Sequence, residues 1–292
     1  MGQYNIDQFS TITGVTKFLL RTWENRYDYL KAERTKTNVR IYNDQMVVRA
    51  LNTNYLIKSG YKISKISKLS DSDMFQIIEE LQLQGLKKSD DLYIKSLIIS
   101  AINLDNYLFD STYESGVEEL GFIEFYKRIV LVVLNRIGVF WLSNRVSPSQ
   151  EHIFTSNLKR KILSRVDSFK YSNTEKANWL LFLPENELHD IGLLFAYALL
   201  SESKFPVIYL GANLPSYSLK DVKEKFDIDN ILVFSMCNKS STTTMDTLKY
   251  IENNFKNSNS YLVNNCKDSS LFKIFKTVNI ITDVDEFIKL IH

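Results

Sequence analysis

The residues with the clearest chemical potential are a histidine and an acidic residue two positions before it, in the segment Glu187-Leu-His189-Asp-Ile-Gly192. The chain has only three histidines, and one of them is the terminal His292. The preceding apolar run, Trp179-Leu-Leu-Phe-Leu183, predicts a buried strand, and the residues after the histidine predict an apolar helix. A loop between such a strand and helix lies at the sheet edge where open α/β folds bind ligands. The segment therefore predicts that the His189 imidazole can bind a metal.

The elements that must position this segment are strands and helices that alternate over residues 176–292. The predicted strands are 178–184, 206–211, 230–236, 259–264 and 277–282, and the predicted helices are 188–202, 218–226, 241–255, 268–275 and 283–291. Five apolar strands with helical crossovers predict an α/β fold with a doubly wound parallel sheet. Gly211 and Ser235 then lie at the carboxyl ends of the second and third strands, in one crevice with His189.

Residues 71–175 have apolar side chains at helical spacing, almost no proline and no strand-like alternation. We predict four helices, at 71–86, 89–103, 105–143 and 147–169, with a break in the third near Gly116 to Gly121. On these patterns alone the segment indicates a helical bundle that joins subunits.

The first 70 residues have the pattern of a helix-turn-helix followed by a wing. Ile6, Phe9 and Ile12 are at helical spacing, and a second helix follows a Gly-Val turn. On that second helix we expect Trp23 in the core. We expect the following side chains to face bases or phosphates: Arg21, Asn25 and Arg26. The basic segment from Lys31 to Tyr42 predicts a wing that clamps the phosphate backbone.

The charge of the chain is unevenly distributed. Residues 1–70 contain 12 Lys and Arg against 5 Asp and Glu, a net charge of +7, whereas the other 222 residues total −5. A basic amino-terminal domain on a slightly acidic remainder indicates that the first 70 residues bind a polyanion.

Composition argues against several other classes of protein. The longest aliphatic stretch, residues 129–134, is far shorter than the 18 or more residues of a membrane span, and the first residues do not resemble a secretory leader. We therefore expect a cytoplasmic protein with no membrane partner. Cys237 and Cys266 match neither a zinc spacing nor a disulfide framework. No nucleophile, acid-base pair or phosphate loop predicts an enzyme.

The amino-terminal motifs resemble the MerR family of transcriptional regulators. The resemblance covers residues 4 to about 70 and is carried by Gly14-Val15, Leu20-Arg21-Thr-Trp23-Glu24-Asn-Arg26-Tyr27, Glu33-Arg34-Thr35, Arg40-Ile-Tyr42 and Leu56-Ile-Lys-Ser-Gly60-Tyr-Lys-Ile63. It implies that the side chains around operator DNA are Arg21, Arg34, Arg40 and Tyr42. As further DNA-binding candidates we add Thr16, Lys17, Asn25, Arg26, Thr35 and Lys36.

The Trp-Glu-x-Arg-Tyr form of the motif resembles the light-responsive, cobalamin-binding branch of that family. Trp141, nine intervening residues and then Glu151-His152 resemble the signature of the bundle that covers the upper face of adenosylcobalamin. Without its context this pattern is a core tryptophan beside a charged helix face. Together with Glu187-x-His189, the resemblance implies that these three residues contact the cofactor.

The carboxy-terminal domain resembles the cobalamin-binding fold, and the resemblance assigns His189 as the lower ligand of cobalt. It implies that Glu187 orients the imidazole and that Gly192 leaves room for the ligand. Two departures stand out. Asn264-Asn265 replaces a Gly-Gly pair that lets the nucleotide tail approach the backbone, and Leu142 stands where some light sensors have a second cobalt-binding histidine.

Three hypotheses follow for a chain with expected domains at 1–70 (winged helix), 71–175 (bundle) and 176–292 (cobalamin-binding-like). The first is a regulator, expected to be a repressor, whose oligomerisation and operator binding depend on adenosylcobalamin and light. The second is a cobalamin-independent regulator whose sheet domain assembles subunits or binds a protein antagonist. The third is a corrinoid methyl carrier, for which a basic winged helix has no use. We expect a dimer or tetramer on operator DNA, because one small winged helix reads few base pairs.

Overall fold

The fold is described from a computed structural model, which covers residues 3–35, 38–83, 88–142, 146–169, 177–235, 241–264, 272 and 274–292. The chain forms two compact units, residues 1–154 and 155–292. The expected domain boundaries near residues 70 and 175 stay predictions. No helix in the described parts of the chain is long and apolar enough to cross a membrane.

The first unit begins with a winged helix-turn-helix, as predicted. Its elements in chain order are β1 (Gln3–Asn5), α1 (Ile6–Thr13), α2 (Lys17–Tyr27), β2 (Glu33–Arg34), β3 (Arg40–Asn43), α3 (Asp44–Lys58) and α4 (Ile63–Ile66). The three strands form an antiparallel sheet in the order β1-β3-β2. Asn5 caps α1 with a full capping box, and Gly14 ends that helix at φ 66°. A left-handed residue at this point is strained for most side chains, which explains glycine in the turn before α2.

The remaining helices of the first unit continue directly from the winged helix. They are α5 (Asp71–Leu83), α6 (Lys88–Asn103), α7 (Asn106–Leu120), α8 (Phe122–Phe125), a π-helical turn (Tyr126–Val130), α9 (Leu131–Leu142) and the start of α10 (Pro148–Ser168). The break predicted near Gly116 to Gly121 is found at Gly121, whose φ is 77°. Gly116 lies in close contact with the next segment, because a Cβ there would stand 2.1 Å from the Phe125 ring. The helical interpretation of this segment is confirmed.

The second unit is a five-stranded parallel sheet with helical crossovers. Its elements after α10 are β4 (Trp179–Pro184), α11 (Ile191–Glu202), β5 (Val207–Leu214), α12 (Leu219–Lys225), β6 (Asn230–Ser235), α13 (Ser241–Asn254), β7 (Asn259–Asn264), β8 (Val278–Ile281) and α14 (Val284–Ile291). The strand order is β5-β4-β6-β7-β8, and all neighbours are parallel. Every residue of β4 and β6 is buried, as expected for central strands covered on both faces. The predicted doubly wound α/β sheet is confirmed.

Two predicted boundaries near the histidine are wrong. Helix α11 begins at Ile191 rather than at residue 188, because the backbone N–H groups of Leu188 and His189 bind the Glu187 carboxylate. Strand β5 ends at Leu214 rather than at residue 211, because its pairing with β4 resumes after an irregularity at Gly211. The predicted short helix at 268–275 falls mostly outside the described residues.

Candidate functional site

Helix α2 presents a polar surface on the side opposite its buried residues. Leu20 and Trp23 are 1% and 3% exposed, which confirms that the tryptophan is in the core. Arg21, Asn25 and Arg26 are exposed. The helix can therefore rest on the domain with its apolar face while its charged face remains available to a ligand.

The start of α2 is held by two of the predicted DNA-binding residues. The Thr16 hydroxyl accepts a hydrogen bond from the Leu19 N–H (3.3 Å) and so caps the helix. Lys17 forms an ion pair with Asp7 of α1. Both residues are exposed, so they fix the helix-turn-helix geometry from its surface.

The wing is tied to α2 through Glu24, a residue that sequence reasoning did not single out. The Arg40 Nε donates to Glu24 Oε2 at 2.7 Å, and an Arg34 guanidinium nitrogen lies 3.6 Å from Glu24 Oε1. The Glu24 side chain is only 11% exposed. Two guanidinium groups against one carboxylate leave this surface with a net positive charge. The surface can therefore be ordered and still attract phosphate.

The tip of the wing is closed by Thr35. Its backbone N–H donates to the Val39 carbonyl (2.9 Å), and its hydroxyl accepts from the Val39 N–H (3.0 Å). Arg34 donates to the Asn38 side-chain oxygen (2.8 Å) across the same turn. Lys36, the remaining candidate of the wing, lies outside the described residues.

Tyr42 departs from the expectation that it lies at the DNA surface. Its side chain is 1% exposed, and its ring stacks on Phe9 with centroids 4.0 Å apart. Burial, and after it the negative charge of Glu24, raise the pKa of the Tyr42 hydroxyl above its ordinary value. The cause is the alternation of β3, which turns Tyr42 towards α1. Tyr42 is thus a core residue that supports the strand of Arg40.

In the second unit, Glu187 holds His189 through a single carboxylate oxygen. Glu187 Oε1 lies 2.6 Å from His189 Nδ1, and it also accepts from the backbone N–H groups of Leu188 (3.0 Å) and His189 (3.1 Å). The glutamate side chain is completely buried, whereas the histidine side chain is 69% exposed. A carboxylate on Nδ1 fixes the ring orientation and directs Nε2 outward, the arrangement found behind metal-binding histidines.

Neighbouring elements brace the loop that holds this pair. The Asn213 backbone N–H donates to the Glu187 carbonyl (3.1 Å), and the Asn213 side chain accepts from the Asn186 N–H (2.9 Å). From α13, the Thr243 hydroxyl donates to the Glu185 carbonyl (2.9 Å). These contacts come from residues far away in sequence, so no local pattern could have predicted them.

The strand order explains why this loop is a suitable place for a ligand. The chain adds β5 on one side of β4 and then adds β6, β7 and β8 on the other side. Ligands of such parallel sheets bind at the carboxyl ends of the strands on either side of this switch point, here β4 and β6. His189 follows β4 and Ser235 ends β6, so the predicted proximity of the two segments is consistent with the topology. Asn264 is the strand partner of Ser235 on β7.

The other predicted residues of this edge have well-defined surroundings. Ser235 is 1% exposed and its hydroxyl lies 2.8 Å from the Thr244 hydroxyl, and Asn264 is 5% exposed. Gly211 adopts φ 77° within β5, opposite Phe182. Asn265 lies outside the described residues.

Gly192 is explained by packing within the protein itself. A Cβ at this position would stand 2.7 Å from the Phe234 ring. The resemblance attributed the missing side chain to space for a ligand. The structure adds that Phe234, which is 8% exposed, already requires glycine at this position.

The predicted upper-face residues belong to two different helices of the first unit. Trp141 is the penultimate residue of α9, and its side chain is outside the described part of the structure. Glu151 and His152 lie in the first turns of α10, with His152 Nε2 3.8 Å from Glu151 Oε2 and the histidine 77% exposed. Their association with Trp141 and with a cofactor stays a prediction.

Comparisons with known proteins agree with both units. Residues 4–73 match the family described as "MerR HTH family regulatory protein". The chain is also 23% identical to the HTH-type transcriptional repressor CarH of Myxococcus xanthus, over 84% of this chain and 83% of CarH. The amino-terminal domain of this chain is therefore a MerR-type helix-turn-helix domain. The MerR-type domain is similar as well to the HTH-type transcriptional regulator MlrA of Salmonella typhimurium, at 32% identity over 25% of this chain and 30% of MlrA.

The parallel sheet of this chain has a fold that is also found in a solved corrinoid protein. The monomethylamine corrinoid protein of Methanosarcina barkeri superposes with a TM-score of 0.54 at 13% identity, covering 69% of this chain and 97% of that chain. Within the described residues no group of three or more metal-binding side chains occurs.

Proposed function

We propose that the chain is a cytoplasmic transcriptional repressor whose assembly and operator binding are controlled by adenosylcobalamin, with light as the signal that ends repression. One observation carries the cofactor proposal: a buried carboxylate holds an exposed histidine at the switch point of a corrinoid-type sheet. The MerR-type domain in the same chain provides the output, namely binding to operator DNA.

The residues at the end of β4 fit a corrinoid at its cobalt. His189 would hold the cobalt through Nε2, and Glu187 fixes the imidazole ring through Nδ1. Ser235 and Asn264 are the proposed contacts for the nucleotide tail. A bound adenosylcobalamin supplies a cobalt–carbon bond that light can break. The contacts of Trp141, Glu151 and His152 with the cofactor stay predictions from the sequence.

On the DNA side, α2 is the proposed recognition helix and the hairpin of β2 and β3 the proposed wing. Arg21, Asn25 and Arg26 are exposed on α2, where they can contact base edges and phosphates. Arg34 and Arg40 are the proposed phosphate contacts of the wing, and Glu24 keeps both in place. Because one such domain reads few base pairs, we propose that a dimer or tetramer binds the operator.

The cofactor proposal is tested by reconstitution in the dark. The purified chain is mixed with adenosylcobalamin, passed through a desalting column and examined by visible absorption. We expect the cofactor to remain with the protein and its spectrum to change on binding. His189→Ala is expected to lose that change. A chain that retains no cofactor, or a His189→Ala spectrum identical to the unsubstituted one, would contradict the proposal.

A second candidate function has structural support of its own. Phe234 lies against Gly192, and Asn264 occupies a strand end where corrinoid proteins of this branch are expected to have glycine. Both features favour a sheet that assembles subunits, or binds a protein antagonist, without cobalamin. This candidate predicts the same oligomer mass and operator affinity with and without adenosylcobalamin, in light and in darkness.

A corrinoid methyl carrier shares the sheet fold and is the weakest candidate. The net charge of +7 on residues 1–70 and the MerR-type domain have no role in methyl transfer. Sequence-specific retardation of DNA by the full chain would exclude methyl transfer as the primary function.

A further inference from the structure

Helix α2 exposes two large apolar side chains, Phe18 and Leu19, and Phe18 is the more exposed of the two. It is 75% exposed, although it lies next to Leu20, which is 1% exposed. It is the second residue of α2, after the Thr16 cap and Lys17. The first turn of a recognition helix is the part that reaches base edges in a helix-turn-helix.

Phe18 shares its face of α2 with polar residues that suit DNA. Arg21 and Asn25 follow at positions i+3 and i+7, and both are exposed. Thr22, at i+4, donates its hydroxyl to the Phe18 carbonyl (2.8 Å), so it adds no competing donor to this face. On this face the apolar ring therefore stands among polar side chains, whereas Leu19, which is 41% exposed, lies about a quarter turn away around the helix.

The three exposed side chains of this face match three different groups of the major groove. Arginine pairs with guanine, asparagine pairs with adenine, and an apolar side chain contacts the C5-methyl group of thymine. Contact of the Phe18 ring with a methyl group would also bury apolar area of the ring that is exposed to water in the free protein.

We propose that Phe18 determines sequence specificity by contacting the C5-methyl group of a thymine in each operator half-site. This inference rests on the proposed role of α2 as recognition helix. It assigns to Phe18 the choice of one base, whereas Arg34 and Arg40 of the wing contribute affinity for any sequence.

The experiment uses the full chain with adenosylcobalamin in the dark, and duplexes selected from a random-sequence pool. The unsubstituted chain and Phe18→Ala are each used for selection. We expect the sites selected by the unsubstituted chain to share a thymine at one position. We expect the sites selected by Phe18→Ala to show no preference for thymine there. That thymine is then replaced by deoxyuridine, which lacks only the 5-methyl group, and dissociation constants are measured by fluorescence anisotropy. For the unsubstituted chain we expect about fourfold weaker binding per half-site, the value for burial of one methyl group.

Phe18→Ala should bind the thymine and uracil duplexes equally, because the methyl contact is gone. Phe226→Ala is the matched control, since Phe226 is 50% exposed in the second unit and should leave the uracil effect intact. Circular dichroism should show that Phe18→Ala keeps its helical content, because an exposed alanine is compatible with a helix.

Three results would overturn the inference. The unsubstituted chain could bind every thymine-to-uracil duplex as tightly as the parent, or Phe18→Ala could keep the same sensitivity to uracil. A changed oligomer mass of Phe18→Ala in the absence of DNA would assign the ring to a subunit contact instead. If the unsubstituted chain selects no sequence at all, the proposed DNA-binding role fails together with the inference.

Discussion

Glu24 shows how one side chain can order a surface that must remain positive. It lies on α2 and binds Arg34 and Arg40 of the wing, so ion pairs connect the helix and the hairpin at the surface. Because the carboxylate is only 11% exposed, water cannot easily take its place as the hydrogen-bond acceptor of the two arginines. The arrangement orders the two guanidinium groups before DNA arrives, which lowers the entropic cost of binding.

Glu24→Ala should loosen the wing. Removal of the acceptor of the partly buried Arg40 costs about 1–2 kcal/mol, so we expect roughly 5- to 30-fold faster amide exchange in β3, with weaker DNA binding. Hydrogen exchange by mass spectrometry measures this. Glu224→Ala is the control, because the Lys220–Glu224 pair is exposed at 3.7 Å and should change nothing measurable. Equal exchange rates in β3 before and after substitution would contradict the role of Glu24.

Glu187 has the corresponding role in the second unit. Its buried oxygen accepts from two backbone N–H groups and faces His189 Nδ1. Glu187→Gln keeps the size of the side chain and removes its charge. We expect about 10- to 100-fold weaker binding of adenosylcobalamin, the usual effect of removing the residue behind a metal-bound histidine.

The affinity is measured by titration of the visible spectrum in the dark. Glu185→Gln is a matched control two residues away, because Glu185 is exposed. An unchanged affinity of Glu187→Gln would show that the carboxylate serves only the fold of the loop.

At the scale of elements, the helices of the first unit approach closely because of one glycine. Gly116 on α7 lies against Phe125 of α8, and a Cβ there would overlap the ring. A Cβ added to Gly138 on α9 would have no neighbouring atom within 4 Å. The position of Gly116 therefore has no room for a side chain, whereas the position of Gly138 does.

Gly116→Ala should destabilise the first unit, whereas Gly138→Ala should not. Overpacking costs about 1–3 kcal/mol, and alanine at an exposed helical position is about 1 kcal/mol more favourable than glycine. Urea unfolding of the full chain, monitored by circular dichroism, compares the two variants. A Gly116→Ala chain as stable as the Gly138→Ala chain would contradict the close contact of α7 with α8.

The elements were largely predictable from sequence because their signals are local. Apolar runs and helical spacing gave all five strands and the break at Gly121, and Trp23 was correctly expected in the core. The errors arise where tertiary contacts decide. Tyr42 is buried by its contact with Phe9, and α11 begins late because Glu187 binds the preceding N–H groups.

The candidate sites were predictable only in part for the same reason. His189 and Arg21 follow from motifs, but the partners that position such residues are distant in sequence. Glu24 is 10 and 16 residues from its two arginines, and Thr243 is 58 residues from Glu185. Single-sequence patterns contain no signal for these pairs, because only the fold brings their members together.

At the scale of the whole molecule, the chain combines a MerR-type DNA-binding domain with a sheet of the corrinoid-protein fold. In the proposed function, the first gives an output that depends on oligomerisation, because paired half-sites need paired domains. The second would hold a cofactor through His189, whose state the oligomer then follows. The central claim is that the cofactor state and the DNA affinity are coupled.

The most direct test measures oligomer mass and operator affinity of one sample in four states: without cofactor, with adenosylcobalamin in the dark, after illumination, and as His189→Ala with adenosylcobalamin. The account predicts that dark adenosylcobalamin increases both the mass and the affinity, that illumination reverses the increase, and that His189→Ala shows none of it. Identical mass and affinity in all four states, with DNA still bound specifically, would contradict the coupling and favour the cobalamin-independent regulator.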